Sequence, residues 1–387
     1  MKRIVIIGGT PRSLVNFRGP LLKTMAMNGH DVHAIASGKD ELVAARLNDW
    51  GVTYHPIRLS RAGLNPLRDL HTVVALIRQL RTIRPHIVLS YTIKPVIYGG
   101  LAASIAGIPS IYSWITGLGY SFIETGTLRK RIIGGLACAL YRLSLRFSNR
   151  VFFQNHDDSS LFLDRRLVRP AQVVVVNGSG VDLHYFSPSP LPEDAVFLLI
   201  GRLLIDKGIR EYIKAAMSVK GRYPHARFQL AGALDSNPAS ISPTELASIQ
   251  SDGIIEYLGY LPDVRPALAG CRIYVLPSYR EGTPRTVLEA MASGRPIITT
   301  DAPGCRETVL LTEIGKKQQR DGLGVMECEN GFLIRPRDSR ALAEAMISFL
   351  ARPDIARPLA RSSREIAENK YDVNMINELL LQNMSLQ

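Results

Sequence analysis

The stretch RIYVLPSYREGTPRTVLEAMASGRPIITT, residues 272–300, contains the unit from which the fold is read. Its apolar, β-branched opening predicts a strand that closes at VLPS, followed by the loop YREGTP. RTVLEAMASG then reads as a helix, with Pro284 at its start and Gly294 past its end, and RPIITT as another strand. Two acids stand out within this unit. Glu281 lies in the loop ahead of the helix, and Glu289 lies inside the helix itself.

The same alternation runs along the whole chain. RIVIIGG, DVHAIAS, VTYHPI, HIVLSY, PSIYSW, RVFFQN and QVVVV alternate with helix-period segments in the first half, and VFLLIGR, ARFQLAG and GIIEYLG continue it in the second. Short apolar runs separated by helices predict an α/β fold with parallel, doubly wound sheets covered on both faces. The pattern pauses at residues 177–195, NGSGVDLHYFSPSPLPEDA, where Gly, Ser and Pro accumulate. Two Rossmann-like domains are expected, residues 1–186 and 187–368, with residues 369–387 forming a C-terminal helix that packs back on the first. Ligands of such sheets bind beyond the carboxyl ends of the strands, so the cleft between the domains is the expected site.

Composition narrows the class of partner. The chain has 387 residues and a formal net charge of +13. Residues 1–186 hold 23 Lys and Arg against 10 Asp and Glu, whereas residues 187–387 hold 24 of each, so the excess is confined to the first half. A one-sided basic field favours an anionic partner such as a nucleic acid, an acidic membrane or a phosphorylated substrate. The segment 128–150, with Arg129, Lys130, Arg131, Arg142, Arg146 and Arg150 among apolar residues, is a helical candidate for an anionic membrane surface. Cys138, Cys271, Cys305 and Cys328 form no C-x-x-C pair, which predicts a reducing compartment and no zinc knuckle. MKRIVIIGGT falls short of a signal-peptide core, and the charge-free stretch 95–123 is punctuated by Gly, Pro and Ser. A cytoplasmic protein, peripheral on the inner face of the membrane, is expected.

The loop and helix start at residues 281–287 suggest how such an anion is held. The amides of Thr283, Arg285, Thr286 and Val287 sit where a helix N-terminus carries unpaired N–H groups and partial positive charge, suited to a diphosphate. Nearby carboxylates repel phosphate but accept hydrogen bonds well from sugar hydroxyls. At GRLLIDKG, residues 201–208, just beyond the strand VFLLI, Arg202 and Lys207 supply a planar fork and a mobile point charge for the same diphosphate.

Taken together, the strand-GR then KG, EGTPRTVLE, AMASGRPII and NGFLI resemble the retaining nucleotide-sugar glycosyltransferases of family four, which have the GT-B architecture. The resemblance covers nearly the whole chain. Within it FRGPLLKTMAMNGHDV, YTIKPVIYGGLAASIAGIPSIY, ITGLGY and GSGVDL look most like enzymes that build capsule, O-antigen or N-glycan precursors on a polyprenyl diphosphate. It implies that Glu281 holds the donor sugar's hydroxyls, Glu289 the ribose, and Arg202 and Lys207 the diphosphate. Gly282, Thr283 and Pro284 would complete the donor loop, Tyr260 in YLGYLPD would border the base, and Gly8 and Gly9 would allow close approach of the N-terminal loop. Arg18, Tyr91, Thr92, Lys94 and Thr116 are candidates for the acceptor. Many family members place a histidine where this chain has Thr116, so a histidine contact does not carry over.

The expected function is therefore transfer of a hexose or N-acetylhexosamine from a UDP-sugar to a polyprenyl-diphosphate-linked saccharide, with retention. No cofactor and no metal are expected, since Asp-x-Asp is absent and His30 and His33 form no convincing ligand set. A sugar-nucleotide epimerase of the same fold is the enzymatic alternative. Nucleic-acid binding has the charge but lacks an RNP-like, helix-turn-helix or finger pattern, and GGTPRS is not the G-x-G-x-x-G of a nicotinamide dehydrogenase.

Overall fold

A computed structural model of the protein describes residues 1–59, 66–118, 128–235, 237 and 239–386, with the backbone alone for 128–131. The end of ITGLGY, Gly119 and Tyr120, lies outside them, as do the side chains of Arg129, Lys130 and Arg131. The chain divides into two units, one of Met1–Ser179 joined by the segment from Asn374, the other Gly180–Val373.

The first unit is built on β1 (Arg3–Ile7), β2 (Asp31–Ser37), β3 (Val52–Ile57), β4 (Ile87–Tyr91), β5 (Ser110–Ile115), β6 (Arg150–Phe153) and β7 (Val173–Val175). Their order is β3-β2-β1-β4-β5-β6-β7, and every neighbouring pair is parallel. Because side chains alternate along a strand, β1 divides between two cores. Ile4 and Ile6 join Val32, Ala34 and Leu89 on one side, and Val5 and Ile7 join Ile35 and Val88 on the other. Each such fully buried aliphatic side chain contributes about 1.5–3 kcal/mol, which is why the runs read as continuously apolar. The last helix, Val373–Asn383, places Ile376, Leu380 and Leu381 in the core that contains Leu14, Leu21 and Leu22.

The second unit repeats the plan with β8 (Val196–Ile200), β9 (Arg227–Ala231), β10 (Ile255–Tyr257), β11 (Ile273–Leu276), β12 (Ile297–Thr300), β13 (Val325–Cys328) and β14 (Gly331–Ile334). The order is β10-β9-β8-β11-β12-β14-β13. One departure from a wholly parallel sheet is the hairpin β13–β14, whose strands pair antiparallel, Cys328 opposite Gly331. Gly331 has φ 150°, and a Cβ there would collide with the carbonyl of Ile297 on the neighbouring strand. This antiparallel order depends on pairing across a tight turn, which apolar patterning does not record.

The chain passes between units at Ser179/Gly180 and again at Val373/Asn374. The sequence reading set these changes at 186/187 and 368/369. The segment 177–195 that suggested the first contains the passage at 179/180, and its Pro-rich remainder belongs to the second unit, where Arg295 holds the carbonyls of Ser189 and Pro190. The two passages are fastened side by side, Val181 N–H donating to Tyr371 O at 2.8 Å and Val373 N–H to Val181 O at 3.1 Å. The basic segment 128–150 is helical only over Leu128–Leu145, and Arg150 begins β6.

Candidate active site

Where the strand order of a parallel sheet reverses, adjacent loops leave the sheet in opposite directions and open a crevice at the carboxyl ends. In the second unit that place is between β8 and β11, and the loops are Gly201–Gly208 and Pro277–Pro284. They are locked together. Gly208 is left-handed at φ 73°, and a Cβ there would run into the Pro277 carbonyl, while Tyr279 N–H donates to Asp206 O at 2.8 Å.

Lys207 and Glu281 meet here as an ion pair, their side chains 18% and 13% exposed. Glu281 Oε1 also accepts from Ser278 Oγ at 2.8 Å, and its backbone N–H donates to Pro303 O at 2.9 Å. Gly304 lies beneath, so close that a Cβ would strike the carbonyls of Glu281 and Gly282. Ser278 in turn offers its carbonyl to the Thr300 hydroxyl. A cation and an acid are thus fixed at the crevice by short, internally braced loops.

Beside them is Asp206, which the sequence reading missed. Burial pushes its carboxyl above the usual range, the Lys207 ammonium pulls it down and the Glu281 carboxylate raises it again. Its Oδ1 is buried with no hydrogen-bond partner among the described residues. Arg202 also lowers the Asp206 carboxyl. Its guanidinium pairs with Asp235 Oδ2 at 3.0 Å and is 60% exposed.

The helix that follows is Arg285–Ala292, with Pro284 as its N-cap. The Val287 amide is not a free donor, because it bonds to Pro284 O at 3.0 Å in the first turn. Glu289 is 7% exposed and pairs with Arg285, one turn earlier, at 2.8 Å. Burial raises its carboxyl above the ordinary value while Arg285 opposes the shift. Thr286 lies near the buried Tyr274 phenol, which donates to Ile200 O at 3.1 Å. Tyr260 is 64% exposed, on the surface after β10, and Gly282 and Thr283 bridge Glu281 to Pro284.

In the first unit the order reverses between β1 and β4. The absent side chains of Gly8 and Gly9 make room for Tyr91 and Thr92, since a Cβ on Gly8 would overlap the Tyr91 hydroxyl and one on Gly9 would lie 3.2 Å from Thr92 Oγ1. Thr92 has φ 67°, a left-handed conformation costly for a β-branched residue. Lys94 Nζ pairs with Asp69 Oδ1 at 2.9 Å. Tyr91 and Arg18 are interior: the Tyr91 hydroxyl meets Ser13 Oγ at 2.7 Å, and Arg18, 2% exposed, stacks 3.5 Å over Trp114 and donates to Ser179 Oγ at 2.9 Å. Thr116 is half-buried just past β5. The sequence-predicted acceptor residues thus separate into a buried pair, Arg18 and Tyr91, and a partly accessible set, Thr92, Lys94 and Thr116.

Comparison with known proteins accounts for both units. Residues 19–178 match the glycosyl transferase 4-like domain, and residues 194–352 match glycosyl transferases group 1. The N,N'-diacetylbacillosaminyl-diphospho-undecaprenol alpha-1,3-N-acetylgalactosaminyltransferase of Campylobacter jejuni is 28% identical over 98% of this chain and 97% of its own. A UDP-Gal:alpha-D-GlcNAc-diphosphoundecaprenol alpha-1,3-galactosyltransferase of Escherichia coli is 23% identical over 62% of this chain and 63% of its own. Among solved structures, Anabaena HepE in complex with UDP and glucose superposes with a TM-score of 0.77 at 17% identity, covering all of both chains. Sucrose-phosphate synthase of Thermosynechococcus elongatus gives 0.75 at 18%, covering 99% of this chain and 98% of that one.

Proposed function

The chain belongs to the glycosyltransferases of the group 1 and 4-like families with the GT-B fold, and from that membership we propose that it moves a hexose or N-acetylhexosamine from a UDP-sugar to a polyprenyl-diphosphate-linked saccharide with retention of configuration. The observation that carries the donor reading is the Lys207–Glu281 pair at the reversal point between β8 and β11. The undecaprenyl-diphosphate-linked acceptors of the Campylobacter and Escherichia relatives support the choice of acceptor, and surface-polysaccharide assembly is the setting it implies.

Breaking the bond between the anomeric carbon and the diphosphate leaves charge on the departing phosphate. Lys207, assisted by Arg202 once it leaves Asp235, is assigned to that charge, and the amides about Gly282, Thr283, Arg285 and Thr286 to the remaining phosphate oxygens. Glu281 takes the sugar hydroxyls and Glu289 the ribose, each as an acceptor. The acceptor hydroxyl attacks the face the nucleotide leaves, and the leaving phosphate takes its proton. Thr92, Lys94 and Thr116 are assigned to the acceptor side.

Membrane attachment is part of the same proposal. Among the described residues no helix is long and apolar enough to cross a bilayer. The helix Leu128–Leu145 exposes Ile132, Leu136 and Leu143 beside Arg142 and Arg146, a combination suited to lying at an acidic surface. The test of function is direct. The purified chain is given UDP-hexoses and UDP-N-acetylhexosamines with synthetic undecaprenyl-diphosphate sugars, and UDP release and the anomer of the product are recorded. Interconversion of a UDP-sugar with no acceptor present would instead establish the epimerase.

A further inference from the structure

Away from these loops the second unit contains a cavity of about 620 Å³, a size typical of small-molecule sites. Pro188, Pro190 and Leu191 form one wall, and the other is a face of the helix Ala356–Lys370 that carries Arg357, Arg361 and Arg364 in one row. Gly294, just past the helix Arg285–Ala292, also lines it. Arg285 and the donor loops stand at the opposite end of that helix, about 12 Å away along its axis.

Of the arginines at or near this cavity, Arg295, Arg272 and Arg364 are satisfied mainly by carbonyls. Arg295, fully buried, donates to Ser189 O at 3.1 Å and Pro190 O at 3.2 Å. Arg272 donates to Pro353 O at 2.8 Å, and Arg364 Nη1 to Phe186 O at 3.0 Å and Ala292 O at 2.7 Å. A carbonyl satisfies a hydrogen bond without cancelling a charge. The acids at hand are Glu365 in the lining, Glu368, which pairs with Arg364 Nε at 2.6 Å, and Glu193, whose charge acts on Arg272. Arg357 and Arg361 have no hydrogen bond or ion pair among the described residues. Burial, and then the like charge of Arg357, lower Arg272 from its ordinary value.

Two exposed guanidinium groups with no counter-charge bound, lining a concavity together with Pro188, Pro190 and Leu191, fit an anion with an apolar or sugar-like body. We propose that this cavity is a second binding site, for a phosphate-bearing ligand whose phosphoryl group sits on Arg357 and Arg361 and whose body lies against Pro188, Pro190 and Leu191. The phosphate can belong to a soluble ester or to an acidic lipid headgroup.

The test uses the full chain saturated with UDP, so that the donor loops are filled. Inorganic tripolyphosphate is titrated while the melting temperature is followed, and flotation is measured on phosphatidylcholine vesicles with and without phosphatidylglycerol. The expected result is a rise of about 3 °C with tripolyphosphate that R357Q/R361Q loses, with the affinity of that variant for UDP unchanged. Phosphatidylglycerol-dependent flotation lost in the same variant, with no tripolyphosphate response, also supports the site and assigns the phosphate to a headgroup. If neither probe separates wild type from R357Q/R361Q, the proposal is overturned. The site does not rest on the donor reading: failure of UDP to bind would sink that reading, while the comparison of the two proteins would still decide this one.

Discussion

Replacing Lys207 by alanine removes the cation assigned to the leaving phosphate, and the structure shows what else it disturbs. The side chain is 18% exposed and its partner Glu281 13%, so the lost charge acts in a partly desolvated site. Loss of one fixed donor of this kind costs about 2.7–4 kcal/mol in the barrier, or roughly a hundred- to a thousandfold in kcat. Glu281 would keep Ser278 Oγ at 2.8 Å but lose its counter-charge, and leaving a buried charged acceptor under-satisfied destabilises by about 1–3 kcal/mol. These two effects separate in a double-mutant cycle. K207A/E281Q should recover much of the melting temperature lost in K207A while kcat, followed by UDP release, stays at the level of K207A or below. A K207A enzyme with near-normal kcat would refute the assignment, and an activity loss that the double variant restores would show that the pair only holds the loops together.

Four further outcomes follow from the geometry. Gly208→Ala, at φ 73° and with its Cβ directed at the Pro277 carbonyl, should destabilise the chain by more than about 1 kcal/mol and lower UDP affinity, read by calorimetry. Asp206 has a folded-state pKa raised above its unfolded value, so this group lowers stability progressively as pH rises through the carboxylate range. D206N should therefore gain melting temperature relative to wild type as pH increases from below that range to neutrality, and a difference independent of pH would contradict the burial argument. Lys94→Met should raise the acceptor KM about tenfold or more, as a charged hydrogen bond of about 1.5–3 kcal/mol is lost, while UDP affinity stays the same; an unchanged acceptor KM would remove Lys94 from that side. R142E/R146E should weaken flotation on acidic vesicles by roughly 2 kcal/mol or more, and equal flotation would place the membrane contact elsewhere.

Much of this was legible because the strands bury both faces. Seven runs in the first half and five in the second were readable as strands, since a buried parallel strand is marked by uninterrupted β-branched residues, as in Ile4–Ile7. The hairpin Val325–Ile334 was not, because its order depends on pairing rather than on pattern. At the site, Lys207 and Glu281 could be named from the punctuation around them, Gly208 on one side and Pro284 on the other. Asp206 and Asp69 could not, because their importance arises from burial and from partners distant along the chain, such as Lys94. Arg18 reads in sequence as a candidate for the acceptor, yet it is an interior cation. Nothing local announces that Trp114, nearly a hundred positions later, will lie flat beneath it.

The mutual embrace of Lys207 and Glu281 sets a condition of entry. A lone phosphate can satisfy the ammonium only by taking from the carboxylate its ion-pair partner, leaving it the Ser278 hydroxyl, and a neutral sugar can satisfy the carboxylate only by displacing the ammonium from it. A molecule that carries hydroxyls and an oxyanion at the right separation replaces both halves of the ion pair at once. Discrimination for an activated sugar over its fragments can therefore reside in an exchange of partners, and it would persist even if each new contact were no stronger than the one it displaced.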